Sequence, residues 1–335
     1  MTTPLLVLIG LALAYSLLNG FRDSGSIVAT MISSRAVAPP VALAVTALAE
    51  FSGPLIFGVA VAKTIGNDLI APGLINLQVL VVALVTACGW SLLTWFFGLP
   101  SSSSHALVGG LVGAALVAGG WQTIQLGGLV KVLLSLFAAP VLGLSVGYLL
   151  TRLVYALTRN STPRINGLFK HSQIVTSIVL AFSHGTNDAQ KSMGIITLGL
   201  ATAGVIPSFH VPLWVILTCA GLMAAGTALG DWRVIRTLGA KFYRIRTLDA
   251  FNSQLSSAVV ILCASLLGGP VSTTQVVSSA IVGVGSAERL SRVRWGKVRQ
   301  IVLTWLLTIP VTGLAGAALY WLATDAVPAL VRAHP

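Results

Sequence analysis

Three acids lie inside apolar stretches of this chain: Asp23, Glu50 and Asp188. A charge at the centre of a bilayer costs about 2.5–3.5 kcal/mol on insertion scales, so such a residue faces a cavity or a partner. A carboxylate in that setting can hold a cation or take a proton. The alternatives are a structural ion pair or a depth nearer the interface. Two rows of hydroxyls each follow a proline. Ser101, Ser102, Ser103 and Ser104 come after Pro100, and Ser272, Thr273 and Thr274 come after Pro270-Val271. Hydroxyls donate to oxyanion oxygens without adding charge. In lipid, a serine row can instead serve close helix packing. Arg22 and Lys191 put cations beside two of the acids, able to neutralise them or to touch an anion. His105 and His184 are further groups that can titrate or donate.

These features occur twice. Asn19-Gly20-Phe21-Arg22-Asp23 is answered by His184-Gly185-Thr186-Asn187-Asp188, with the acids 165 positions apart. The hydroxyl rows repeat at an offset of 170, each followed by small and aliphatic residues that run to Gly113 or Gly283. Residues 1–157 and 172–325 are therefore expected to be homologous halves, joined by a basic linker at 158–171 and followed by a tail at 326–335. The glycines of the first motif permit unusual torsions. A helix break is expected at Gly20–Asp23 and at Gly185–Asp188. Half-helix N-termini there would present free N–H groups and a positive dipole end to an anion.

The elements that position these groups must sit in lipid. Of 335 residues, 56% are hydrophobic and only 8% are charged, where a soluble domain carries about 25%. No Asp, Glu, Lys or Arg occurs in 69–130, 192–230, 250–287 or 300–324. The expected fold is an all-α polytopic membrane protein with about 10–12 transmembrane segments, on the rule of about 20 apolar residues per crossing. The segments read as 5–35, 41–62, 77–97, 105–119 and 129–151, then 172–204, 211–230, 252–267, 271–285 and 301–323. The stretches 77–119 and 252–285 could also contain re-entrant hairpins. Five segments per half is an odd number, so the halves run in opposite senses. Inverted repeats with broken helices are an architecture of secondary transporters, with the site at the repeat interface.

The net charge of +12 does not point to nucleic acid, because 14 of the 20 Lys and Arg fall in the loops 152–170, 233–246 and 289–299. That is the positive-inside pattern and assigns these loops to the cytoplasm of a cell-membrane protein. Cys88, Cys219 and Cys263 lie in apolar runs without zinc spacing and read as small buried hydrophobes. No metal site and no cofactor is expected. Residues 5–18 read as part of the first spanning helix rather than as a cleaved leader.

At these motifs the chain resembles the PiT family of inorganic phosphate transporters. The likeness rests on Ala181-Phe182-Ser183-His184-Gly185-Thr186-Asn187-Asp188-Ala189-Gln190-Lys191, on Ala49-Glu50-Phe51-Ser52-Gly53, on Pro100 to His105, on Pro270 to Thr274, and on Val293-Arg294-Trp295-Gly296. It runs over nearly the whole chain. The resemblance implies phosphate as substrate, with sulfate or another oxyanion as the alternative. Four positions depart from the family pattern: Arg22, Ser26 and Lys191 stand where relatives carry Asn, and Gln275 where many carry His. Some relatives couple transport to sodium through Asn and Asp oxygens, so these replacements bear directly on the coupling ion.

The expected activity is proton-coupled symport by alternating access, with sodium or a metal–phosphate complex as the alternative. Ser102, Ser103, Ser104, Asn187, Ser272, Thr273, Thr274, Arg22 and Lys191 are the expected substrate-binding residues. Asp23, Asp188 and Glu50 are the expected coupling-ion residues. The expected partners are the anion, the coupling ion and the lipid bilayer, with a homodimer left open. An intramembrane phosphatase built on the histidines and serines, and a passive anion channel, are the rival classes.

Overall fold

The computed structural model describes residues 2–33, 37–71, 73–99, 101–162, 165–230 and 246–326. Among these the chain is helical, with no strand and one isolated bridge between Ile70 and Ile124. The first half holds α1 (Thr3–Ser33), α2 (Pro39–Phe57), the short α3 (Ala60–Lys63), α4 (Leu77–Phe96), α5 (Ser103–Gly119) and α6 (Leu126–Thr158). The second holds α7 (Ile165–Thr202), α8 (Leu213–Leu229), α9 (Thr247–Leu266), α10 (Thr273–Glu288) and α11 (Trp295–Trp321). Most of the basic loop 233–246 and the tail 326–335 lie outside the described residues.

Among the described residues, five helices are long and apolar enough to cross a membrane: α1, α2, α4, α6, and α11 with its extension to Thr324. The helices α5 and α8 are apolar but shorter. The others are diluted by polar residues, and those residues point inward. Asn187, Gln190, Lys191, Asn252, Gln254 and Gln275 are all buried, while Leu48, Leu134, Leu149, Leu157 and Leu314 are exposed. This inside-out distribution is what a lipid-facing surface requires. Cys219 is buried as expected, but Cys263 is exposed on α9.

The helices pack in exchanged pairs. α1 lies on α8 as α7 lies on α2, α4 lies on α1 as α9 lies on α7, and α5 lies on α11 as α10 lies on α6. Glycines set the closest approaches. Gly20 rests on the main chain of Met223 and Gly185 on that of Glu50, while Gly53 meets Phe182 and Gly226 meets Leu17. Small residues let helix backbones come together without a hydrophobic driving force in lipid.

The expected breaks at the Asp motifs do not occur. α1 runs unbroken through Gly20–Asp23, and α7 through Gly185–Asp188. The glycines serve helix packing there, and the backbone stays hydrogen-bonded. The breaks fall instead before the hydroxyl rows. α4 and α9 end at Gly98 and Gly268, with φ of 63° and 71°. Leu99 N–H reaches Thr94 O at 2.9 Å, and Gly269 N–H reaches Ala264 O at 2.7 Å. Both ends are Schellman caps, which need the left-handed torsion glycine tolerates. The chain then turns back into α5 and α10, making two helical hairpins.

The close approaches give a stability prediction. Gly226→Ala drives a methyl into the Leu17 main chain, which cannot move aside, so the protein loses about 1–3 kcal/mol. Thermal unfolding in detergent reads this as a lower midpoint. Gly10→Ala, where an added Cβ meets nothing within 4 Å, does not lower the midpoint, since alanine is the better helix former.

Candidate functional site

The two Asp-bearing helices and the two hairpin tips converge in the interior. The twelve expected binding and coupling residues are all buried, none more than 7% exposed. A side chain four positions before Asp188 lies on the same face of α7, and that residue is His184. Its Nδ1 lies 2.8 Å from Glu50 Oε1 on α2. Its Nε2 lies 2.7 Å from Asp188 Oδ2 and 3.7 Å from Asp23 Oδ2, aligned with neither as a hydrogen bond. One imidazole thus faces three carboxylates from three helices. Thr227 of α8 completes the Glu50 end, donating to Oε2 at 2.5 Å and to Gly20 O at 3.1 Å.

The second hairpin is tied to both aspartates. Thr273 donates to Asp188 Oδ2 at 2.6 Å, and Thr274 donates to Asp23 Oδ1 at 2.9 Å. Asn187 fixes the turn itself. Its amide donates to Ser265 Oγ at 2.8 Å and Gly269 O at 3.2 Å, and its oxygen accepts from Val271 N–H at 3.1 Å. Lys191, one turn past Asp188, pairs with that carboxylate and donates to Ser104 Oγ at 2.5 Å and Val271 O at 3.0 Å. Ser104 in turn donates to Val271 O at 2.9 Å, so the two hairpin tips touch.

The first hairpin is held by other groups. Arg22 Nη2 donates to Ser101 Oγ at 3.1 Å, and Ser101 lies 2.6 Å from Thr94 Oγ1. The Ser102 hydroxyl caps α5 by accepting from His105 N–H at 3.1 Å, and it lies 2.6 Å from His105 Nδ1. Tyr15 OH donates to Ser103 O at 3.0 Å. Ser272 is the N-cap residue of α10 and makes no side-chain cap bond. The first turns of α5 and α10 therefore start side by side, each with a buried hydroxyl row. The initial N–H groups of a helix lack intrahelical partners, and its dipole is positive there. Two such ends together make a setting for an anion.

Among the described residues, Asp23, His184 and Asp188 could hold a metal ion, with one donor atom from each within 4.8 Å of the others. Two features count against it. Lys191 already compensates Asp188, and His184 Nε2 sits too close to Asp188 Oδ2 for an ion between them. The space suits a proton better.

Glu50 reaches the rest of the site through His184 rather than through the hairpins. Tyr15 and Thr227 carry no motif, and reading the sequence did not bring them forward, while Gln190 stood in the second signature without a role. Gln190 bridges the gap between α2 and α3, donating to Gly58 O at 2.5 Å and accepting from Ala62 N–H at 3.1 Å. The i, i+4 spacing of His184 and Asp188 was the one signal of the imidazole hub.

Comparison with known proteins agrees with this geometry. Residues 19–316 match the family described as "Phosphate transporter family". A "Probable low-affinity inorganic phosphate transporter" of Rhizobium meliloti is 41% identical, over 96% of this chain and 97% of its own length. A protein of the same description from Bacillus subtilis is 38% identical, over 93% and 94%. A solved structure described as "The sodium-dependent phosphate transporter" superposes with a TM-score of 0.87 at 25% identity, covering 96% of this chain and 99% of that one.

Asn187→Leu removes three hydrogen bonds and strands the buried Val271 N–H. An orphaned group of this kind costs about 1–3 kcal/mol. The expected result is a lower thermal midpoint in detergent together with faster amide exchange at Gly269, Val271 and Ser272.

Proposed function

The chain belongs to the phosphate transporter family, and on that premise we propose that it takes up inorganic phosphate by proton-coupled symport with alternating access. It is a multi-pass membrane protein whose relatives are named as transporters and permeases, not as enzymes. The observation that carries the coupling is the meeting of two helix N-termini, each with a hydroxyl row, against buried Asp23, Asp188, Glu50 and His184.

The energetics require coupling. Phosphate carries one to two negative charges near neutral pH. A membrane negative inside opposes its inward movement by about 2.3 kcal/mol per charge per 100 mV. A cotransported cation offsets that cost. In this reading Ser102, Ser103, Ser104, Ser272, Thr273 and Thr274 bind the oxyanion with the first N–H groups of α5 and α10. Arg22 and Lys191 supply fixed positive charge, and Asn187 holds the second tip in shape. Asp23, Asp188 and Glu50 handle the coupling proton, and His184 links them.

Residues 1–157 and 172–325 act as inverted repeats that rock about this site. The exchanged helix pairs support that reading. The basic loops 152–170, 233–246 and 289–299 face the cytoplasm. A second reading, sodium coupling, is favoured by the description of the superposed structure as sodium-dependent.

Radiolabelled phosphate uptake into proteoliposomes tests the proposal. Uptake should follow an inward proton gradient and resist competition by sulfate. Asp23→Asn and Asp188→Asn should each lower driven uptake by at least about tenfold, equivalent to about 1.4 kcal/mol. Uptake driven only by a sodium gradient would support the second reading, and sulfate uptake in place of phosphate would overturn the substrate.

A further inference from the structure

We propose that the Lys191 ammonium is a tethered cation occupying a built monovalent-cation site, and that shortening this side chain opens the site to sodium. This deepens the transport reading, yet its binding arm stands without it.

Lys191 is 1% exposed, so its charge is compensated inside the protein. An ammonium has three donors, and three oxygens receive them. They are a carboxylate oxygen of Asp188 on α7, the hydroxyl of Ser104 at the start of α5, and the carbonyl of Val271 ahead of α10. Carboxylate, hydroxyl and main-chain carbonyl are the oxygen ligands that hard cations choose. A carbonyl is free to serve because residues 269–272 are not helical.

The cage does not owe its shape to Lys191. Asn187 holds the turn through Val271 N–H and Gly269 O. Ser104 is anchored on Val271 O, and Thr273 fixes the other oxygen of Asp188. Removing the amine therefore leaves three oriented oxygens and a buried carboxylate that has lost its paired ammonium. Such a charge is strongly unfavourable. One positive charge restores the balance, which selects a monovalent ion over a divalent one.

The arrangement has no counterpart at Asp23. Three positions on, Ser26 donates to Asp23 O at 2.8 Å and brings no charge. A cation fixed to α7 cannot leave with the substrate. It holds Asp188 compensated through the cycle and leaves exchangeable coupling to Asp23, Glu50 and His184.

The test compares thermal unfolding of purified full-length wild type and Lys191→Asn in sodium chloride and in choline chloride at equal ionic strength. The variant should unfold at a lower temperature than wild type in choline and recover in a saturable way with sodium. The wild type should not respond to sodium. A variant indifferent to sodium, or a wild type stabilised by sodium as much as the variant, overturns the proposal. Should the variant fail to fold, the wild type still decides the matter. Phosphate uptake at fixed proton gradient should be the same with and without sodium, and a strict sodium requirement overturns the proposal. Absence of phosphate uptake by the wild type would count against the transport reading and leave the unfolding comparison to judge the cation site.

Discussion

Buried charge must be compensated, and the interior of this protein is organised by that demand. Asp23, Glu50 and Asp188 lie among helices whose outer surface is hydrocarbon. Leaving any of them alone would cost several kcal/mol. His184 stands between all three, Lys191 pairs with Asp188, and threonines of α8 and α10 supply the remaining hydrogen bonds. The compensating groups come from three helices, α7, α8 and α10. The electrostatic requirement therefore fixes how α1, α2, α7 and α8 face one another and where the second hairpin must reach.

Close packing makes that convergence feasible. Gly20 against Met223 and Gly185 against Glu50 are equivalent contacts in the two halves. The equivalence exposes an asymmetry. Where the second signature helix meets Glu50 through His184, the first meets Met223 and carries Asn19. Asn19 is buried, with neither amide atom paired among the described residues. The scaffold is doubled, but the carboxylate–imidazole hub is built once. In the proposed transport reading, one asymmetric set of charges on paired helices would let the two ends of the cycle differ in energy.

In the proposed transport reading the hairpin tips connect that hub to the anion. Glycine caps end α4 and α9, and the next helices begin inside the protein. Asn187 belongs to a signature helix but spends its hydrogen bonds on the second tip. Lys191 does the same while touching the first tip through Ser104. The tips and the carboxylates are thus mechanically joined. Displacing one moves hydrogen-bonding partners of the other, which is the kind of linkage symport needs.

Much of this was legible from residue types alone. Scarce charge and long apolar runs determine a lipid-embedded helical chain, because no water-facing surface can be made from them. The repeated Asp motifs and hydroxyl rows single out the candidate residues, because ionisable groups in hydrocarbon persist only with a function or a partner. Gly185 could have meant a broken helix or a close crossing, and local torsional freedom does not separate the two. Only the tertiary structure decided, by setting α2 against that glycine. Thr227 and Tyr15 were invisible for the same reason, and the role of Gln190 with them, since their partners lie far away in sequence. The meeting of Lys191 with Ser104 and Val271 likewise depends on how two hairpins and α7 come together in space. Composition selects the solvent and the chemistry, whereas the pairing of distant helices is a property of the packed bundle.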